Sequence, residues 1–194
     1  MSTPVSGEQR PALRDGGIPA VEHGPTLDRM EIVRRPAVRV LCVDECHRVL
    51  MLRWRDPANG AHLWEPPGGG IEAGERAIDA ARRELREETG LPVGSILDRH
   101  VMVGRDVLWN GRRHQGEEAF FMARFGPAPP VHRDGLKAYE ADTLDEYRWV
   151  AWNAITALPD QVEPPQIVAI LMALDPLGPW ARQPSQRRVS LPGR

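Results

Sequence analysis

Two stretches near the front of the chain carry apolar side chains at strand spacing, Ala37 to Val43 and Val49 to Trp54, and a polar turn around Asp44 to His47 separates them. The period then changes. From Arg76 to Thr89 the apolar positions Ala77, Ile78, Ala81 and Leu85 fall on one helical stripe. Farther on, Ile96 to Val103 and Asp106 to Trp109 are weaker strand candidates. Asn110-Gly111 signals a tight hairpin, because a type I′ turn needs positive φ at both central positions. It leads into a strand containing Glu118 to Phe125, and Tyr147 to Trp152 closes the sheet. Asn153 is placed to cap a short helix through Leu158, and Pro165 to Leu174 has the length and pattern of a final helix. Mixed strands with helices on both faces predict an α/β/α sandwich around a mixed central sheet.

Composition bounds this picture without naming a function. The chain has 194 residues, is 41% hydrophobic and carries a net charge of −2, which suits one soluble domain with tails. Residues 1–30, with Pro4, Gly7, Pro11, Gly16, Gly17, Pro19, Gly24 and Pro25, lack sustained periodicity and are expected to form a flexible arm. The domain is expected over 31–180, followed by a basic tail over 181–194 with Arg182, Arg187, Arg188 and Arg194. Those arginines lack interleaved aromatic residues and read as a solvated tail, so nucleic acid is not an expected partner. Cys42 and Cys46 are the only cysteines, and with His47 they make too small a cluster for structural zinc unless distant ligands join them. Both thiols are expected to be buried or structural. Low cysteine usage and the lack of a secretory leader point to the cytoplasm, and no apolar run approaches the ~20 residues of a membrane span. A homodimer is left open.

The chemistry concentrates between Gly69 and Leu91, in the run GGIEAGERAIDAARRELREETGL. At ~100° per residue, Glu84, Glu87 and Glu88 share an arc of ~100° on the predicted helix, about 80° from the apolar stripe. The acidic stripe therefore borders the buried face, while Asp79, Arg82 and Arg86 take the far side. Like charges at i,i+4 cost a helix roughly 0.2–0.5 kcal/mol per pair, a conflict that a bound cation removes. Clustered oxygen donors suit Mg²⁺ or Mn²⁺. The preceding Pro66-Pro67-Gly68-Gly69-Gly70 allows the backbone to approach an ion or phosphate closely, although such a loop also serves as an ordinary strand-to-helix turn.

The segment resembles the Nudix box of Nudix (MutT-like) hydrolases at Gly69, Glu75, Arg83, Glu84, Leu85, Glu87, Glu88, Gly90 and Leu91. Similarity extends to the lead-in Leu63-Trp64-Glu65-Pro66-Pro67-Gly68 and to Glu146-Tyr147-Arg148-Trp149-Val150, and covers most of residues 36 to 175. Pro66 stands where the family more often has an aromatic or another residue. The resemblance implies a metal-dependent hydrolase acting on a nucleoside diphosphate linked to another group, with Mg²⁺ or Mn²⁺ as cofactor. Carried to matching positions, it makes Glu87 and Glu88 the leading metal ligands and Glu84 a ligand or the general base. The Gly68 carbonyl supplies another metal contact, and Arg83 pairs with Glu75 or another acid of the box.

Family members also draw ligands from outside the box. Glu117 and Glu118 are candidates, of which strand alternation aims only one inward, and Glu118 is taken as the metal-site residue. Glu140, Asp142, Asp145 and Glu146 form a second acid-rich segment. Arg53 and Arg39 are the candidate substrate contacts, with Arg55 a weaker one. Trp64, Trp109 and Phe120 fit packing better than base stacking. The companion patterns for ADP-ribose, dinucleoside polyphosphates, coenzyme A and NADH are absent near Asp106 to Trp109 and elsewhere. A small nucleotide is the expected substrate, nucleoside triphosphate ahead of nucleotide sugar or ADP-ribose. The alternatives are an RNA 5′-end pyrophosphohydrolase and a nucleotide-sensing module.

Overall fold

The computed structural model describes residues 31–182. The arm expected over 1–30, and all but the first two residues of the expected tail, lie outside the described residues. The elements run β1 (Ile32–Val33), β2 (Ala37–Val43), β3 (Arg48–Arg55), β4 (His62–Glu65), β5 (Gly68–Gly70), α1 (Ala77–Thr89), β6 (Ile96–Trp109), β7 (Arg112–Arg124), α2 (Ala138–Thr143), β8 (Leu144–Ala151), β9 (Gln161–Val162) and α3 (Ile167–Leu174). Short 3₁₀ segments cover Val93–Ser95, Trp152–Ala157 and Pro179–Arg182.

Among the described residues the mixed sheet has nine strands and forks beside β2. One edge of β2 runs parallel to β7, from Ala37 opposite Glu118 to Val43 opposite Arg124. Its other edge is shared, because β3 meets it only at Val43 and Val49, and β5 takes the opposite end with Arg39 against Gly68. Freed from β2, strand β3 pairs antiparallel with both β4 and β8. The glycine strand β5 therefore lies where the two branches part. Gly68 has φ 152°, and a Cβ there would fall 2.1 Å from the Val38 carbonyl oxygen. No other residue fits so close to β2 without moving it.

The alternation of β2 sends its side chains into two cores. Val38, Val40 and Cys42 join Leu50, Leu52, Phe121 and the α1 residues Ile78, Ala81 and Leu85. Leu41 and Val43 face the other way, onto Met51, Trp64, Phe120, Met122, Trp180 and the α3 residues Ile167 and Leu171. Helices thus cover both faces, the expected α/β/α sandwich. Helix α1 ends at Gly90, whose left-handed backbone sends its N–H to the Arg86 carbonyl at 3.0 Å.

Several local expectations are corrected. The two weak strands after α1 are one continuous strand, β6, paired with β7 across the hairpin whose Asn110 and Gly111 have φ of 49° and 69°. Asn153 lies inside a 3₁₀ turn with no side-chain cap at its start. Helix α3 begins at Ile167, after Pro164 and Pro165, and the turn over Pro179–Arg182 extends into the span assigned to the tail. Cys42 is buried but Cys46 is exposed, because it sits on the turn between β2 and β3. Strands β4, β5 and β9 and helix α2 carry too few residues for a readable period.

Leu85 is fully buried between α1 and the sheet. Leu85→Ala is expected to lower unfolding free energy by about 2–5 kcal/mol, measured by urea denaturation; a loss below ~1 kcal/mol would contradict this packing.

Candidate active site

Helix α1 delivers its acids to the glycine strand as the stripe requires. Glu84 and Glu88 are each 4% exposed, and Glu87 is half-buried beside them. A Cβ at Gly69 would fall 2.6 Å from the Glu84 carboxylate, so this glycine makes room for the acid. The Gly68 N–H donates to Glu88 Oε2 at 2.8 Å. The Gly68 carbonyl instead accepts from Arg39 Nη1 at 3.1 Å.

Arg83 ties helix to loop. Its Nε and Nη2 donate to the two Glu75 oxygens at 2.9 and 2.8 Å, and Nη2 also reaches the Gly70 carbonyl at 3.0 Å. Its Nη1 donates to Glu84 Oε1 at 2.6 Å and lies 3.6 Å from Glu87 Oε2. A fork of this shape serves two carboxylates at once. The Arg83 hydrogen bonds, helped by the Glu72 N–H, hold the Glu75 carboxyl down at about 2. The expected Arg83–Glu75 pairing is therefore present.

Arg39 anchors the other side. It lies 3.0 Å from Glu65 and 3.2 Å from Glu118, and Arg105 Nη1 donates to the same Glu118 oxygen at 2.9 Å. Arg105 is 97% buried by side chain, its relative exposure being 3%, and it also approaches Glu65 at 3.5 Å and Glu163 at 3.4 Å. Alternation settles the pair at 117 and 118, since Glu117 is exposed and Glu118 turns inward. Burial keeps such a network in place only while each charge retains a partner.

Other candidates are dispersed. Arg53 donates to Asp160 at 2.8 Å, with Asp145 at 3.9 Å, away from the pairs made by Arg39. Arg55 donates to the Asp142 carbonyl at 2.6 Å. Asp145 is drawn to His62 at 2.7 Å, and Glu146 pairs with Arg148. Glu140 alone of that acidic segment is buried, and it accepts from Tyr139 Oη at 2.7 Å. Trp64 and Phe120 are fully buried packing residues, and Trp109 is half-buried against the α1 core. Sequence reasoning missed Glu65, Arg105, Glu163 and Lys137. Arg105 had a signal, a charge at an inward position between Val103 and Val107; Lys137 had none.

A hard divalent cation fits the donors. All are oxygens, and buried Glu87 Oε2 accepts no well-aligned hydrogen bond, its neighbours being the cations of Lys137 at 3.2 Å and Arg83 at 3.6 Å. Among the described residues no three His, Cys, Asp or Glu side chains already converge on one point. Magnesium commonly uses one or two protein carboxylates with phosphate and water, which this arrangement can supply.

A family model described as "NUDIX domain" matches residues 33–170. A relative from Novosphingobium aromaticivorans, named RNA pyrophosphohydrolase, is 31% identical over 142 residues, covering 67% of this chain and 83% of its own. The crystal structure of a Caenorhabditis elegans Ap4A hydrolase binary complex has a TM-score of 0.54 at 17% identity, over 72% of this chain and 96% of the other. That of a MutT protein from Methanosarcina mazei has 0.51 at 18% identity, over 76% and 96%. At such identities the two structures speak for the fold.

Burial lifts the Glu88 carboxyl well above its ordinary value of 4.5, and Glu84 and Glu65 add to the rise against the pull of Arg39 and the Gly68 N–H. The folded state then binds this proton more tightly than the unfolded state, so stability from this group is present at low pH and lost as pH rises above 4.5. Metal-free protein is expected to lose melting temperature over that rise, and Glu88→Gln to reduce the loss. Thermal melts in EDTA check this; a Gln variant less stable than the parent at pH 7 would refute it.

Proposed function

This chain belongs to the Nudix family and is a pyrophosphate-hydrolysing enzyme, and we propose that the acidic face of α1 is its catalytic centre. The reading rests above all on one juxtaposition, Glu84 and Glu88 buried against Gly69 and Gly68 with Glu87 alongside. Glu87 and Glu88 would hold Mg²⁺ or Mn²⁺, with Glu84 and the Gly68 carbonyl as further donors. Glu118 completes the candidate donor set from β7, in the company of Arg39 and Arg105. A cation held there would neutralise the polyphosphate, polarise a P–O bond and lower the pKa of the attacking water.

The chain's own groups account for the rest. Where Glu84 is not a ligand, its carboxylate accepts the proton of the water that attacks phosphorus, while the P–O bond to the leaving phosphate breaks. Arg83 keeps Glu84 pointed at the glycine loop. Arg39, at the Gly68 carbonyl, and Arg53, at the end of β3, are the candidate phosphate contacts, each exchanging a carboxylate partner for substrate. Burial of the site restricts water, which strengthens every charge interaction inside it.

The substrate class is a nucleoside 5′-polyphosphate. A second reading, the triphosphorylated 5′ end of an RNA, is favoured by the name of the Novosphingobium relative. No helix among the described residues is long and apolar enough to cross a membrane.

Phosphate and pyrophosphate release is measured from nucleoside triphosphates, nucleotide sugars, ADP-ribose, dinucleoside polyphosphates and a 5′-triphosphorylated oligoribonucleotide, each with Mg²⁺, Mn²⁺ or EDTA. Turnover is expected only with metal, and Glu87→Gln is expected to lower it by at least about 10²-fold without changing the melting temperature by more than a few degrees. Full turnover by that variant would overturn the site assignment. Silence across the panel from a folded, metal-binding protein would favour a sensing role.

A further inference from the structure

Glu87 has a cationic neighbour from a distant part of the chain. Lys137 stands at the start of α2, and its Nζ lies 3.2 Å from Glu87 Oε2, on the oxygen that Arg83 approaches at 3.6 Å. The lysine side chain is 46% exposed, so it borders both the site and solvent.

The segment leading to Lys137 is fastened to the box helix. The His132 N–H donates to the Thr89 carbonyl at 2.9 Å. Gly135 lies so close to the helix that a Cβ there would fall 2.5 Å from the Glu87 carbonyl oxygen. Glu140 accepts the Lys137 backbone N–H at 2.9 Å, which holds the first turn of α2. Arg133 donates to the carbonyls of Leu144 and Asp145, both at 3.1 Å, and anchors the segment to β8. With its backbone restrained, the flexible four-carbon side chain of Lys137 is what can move.

We propose that Lys137 is a further active-site residue, an internal cation that neutralises Glu87 until a divalent ion takes that carboxylate, and that then meets the substrate's polyphosphate. The proposal rests on the metal-site reading above. A divalent ion bound at Glu87 Oε2 repels the ammonium 3.2 Å from that oxygen, and Lys137, half exposed and on a flexible stem, is the cation that gives way. The displaced group stays within side-chain reach of the metal, where phosphate oxygens bring the largest negative charge. Its three donors suit a point contact with phosphate, while Arg83, committed to Glu75 and Glu84 by short hydrogen bonds, has no comparable freedom.

Calorimetry on the full chain tests both halves. Mn²⁺ alone is titrated first, then imidodiphosphate, whose P–N–P bridge resists hydrolysis, onto protein saturated with Mn²⁺. Lys137→Met is expected to bind Mn²⁺ about two- to fivefold more tightly, the scale of a partly exposed ion pair, and to bind imidodiphosphate about two- to fivefold more weakly. Lys137→Arg should stay near the parent in both titrations. Arg86→Met removes the same charge from the exposed far side of α1 and should move neither constant by as much. Unchanged Mn²⁺ affinity in Lys137→Met overturns the proposal, as does unchanged imidodiphosphate affinity. Parent protein that binds no Mn²⁺, or Glu87→Gln that binds it fully, would instead overturn the metal-site assignment and the proposal with it.

Discussion

The site depends on putting carboxylates where water does not reach. Glu84 and Glu88 are almost wholly buried where α1 crosses the glycine strand, a position that burial alone would forbid to charged groups. The fold offsets part of this with oriented donors. The Gly68 N–H holds Glu88, the Arg83 fork holds Glu84, and Glu75 in turn fixes Arg83. The Gly68 contact ties α1 to β5 and the Glu75 contact ties it to the loop between them, so the charge compensation also fixes the helix against the sheet.

Behind this contact, a second set of charges links the branches of the sheet. Arg39 on β2 and Arg105 on β6 share Glu118 on β7 and Glu65 on β4, and Arg105 reaches Glu163 just after β9. Such a buried network is weak evidence for stability, since apolar residues of similar volume often replace it at no loss. Its geometric consequence is clearer. The network brings β4 to β2 where the two strands are not paired, and it places Arg39 on the Gly68 carbonyl. The proposed metal site and the sheet meet at that one arginine.

Much of this was legible in the chain. The spacing of Glu84, Glu87 and Glu88 against Ala77, Ile78, Ala81 and Leu85 located the helix to within a residue and put the acids at the edge of its buried face. Asn110-Gly111 marked the hairpin because few other pairs tolerate positive φ twice. The choice between Glu117 and Glu118 needed the register of β7, which the spacing alone left open. Asp145 and Glu146 looked equivalent to Glu140 because acid content carries no direction; their strand turned them toward Arg53, His62 and Arg148 instead.

Sequence by itself determined the elements with a strong local period, the acidic stripe of α1 and the reaction class that its motif implies. Those follow from interactions between residues a few positions apart. The tertiary structure decided which cation each acid keeps: Arg39 for Glu65 and Glu118, Arg105 for Glu163, Lys137 for Glu87. These partners are separated by 26 positions or more, Lys137 and Glu87 by 50. Coulomb attraction acts through space and leaves no period in the chain, so only the folded arrangement of strands and helices could select them.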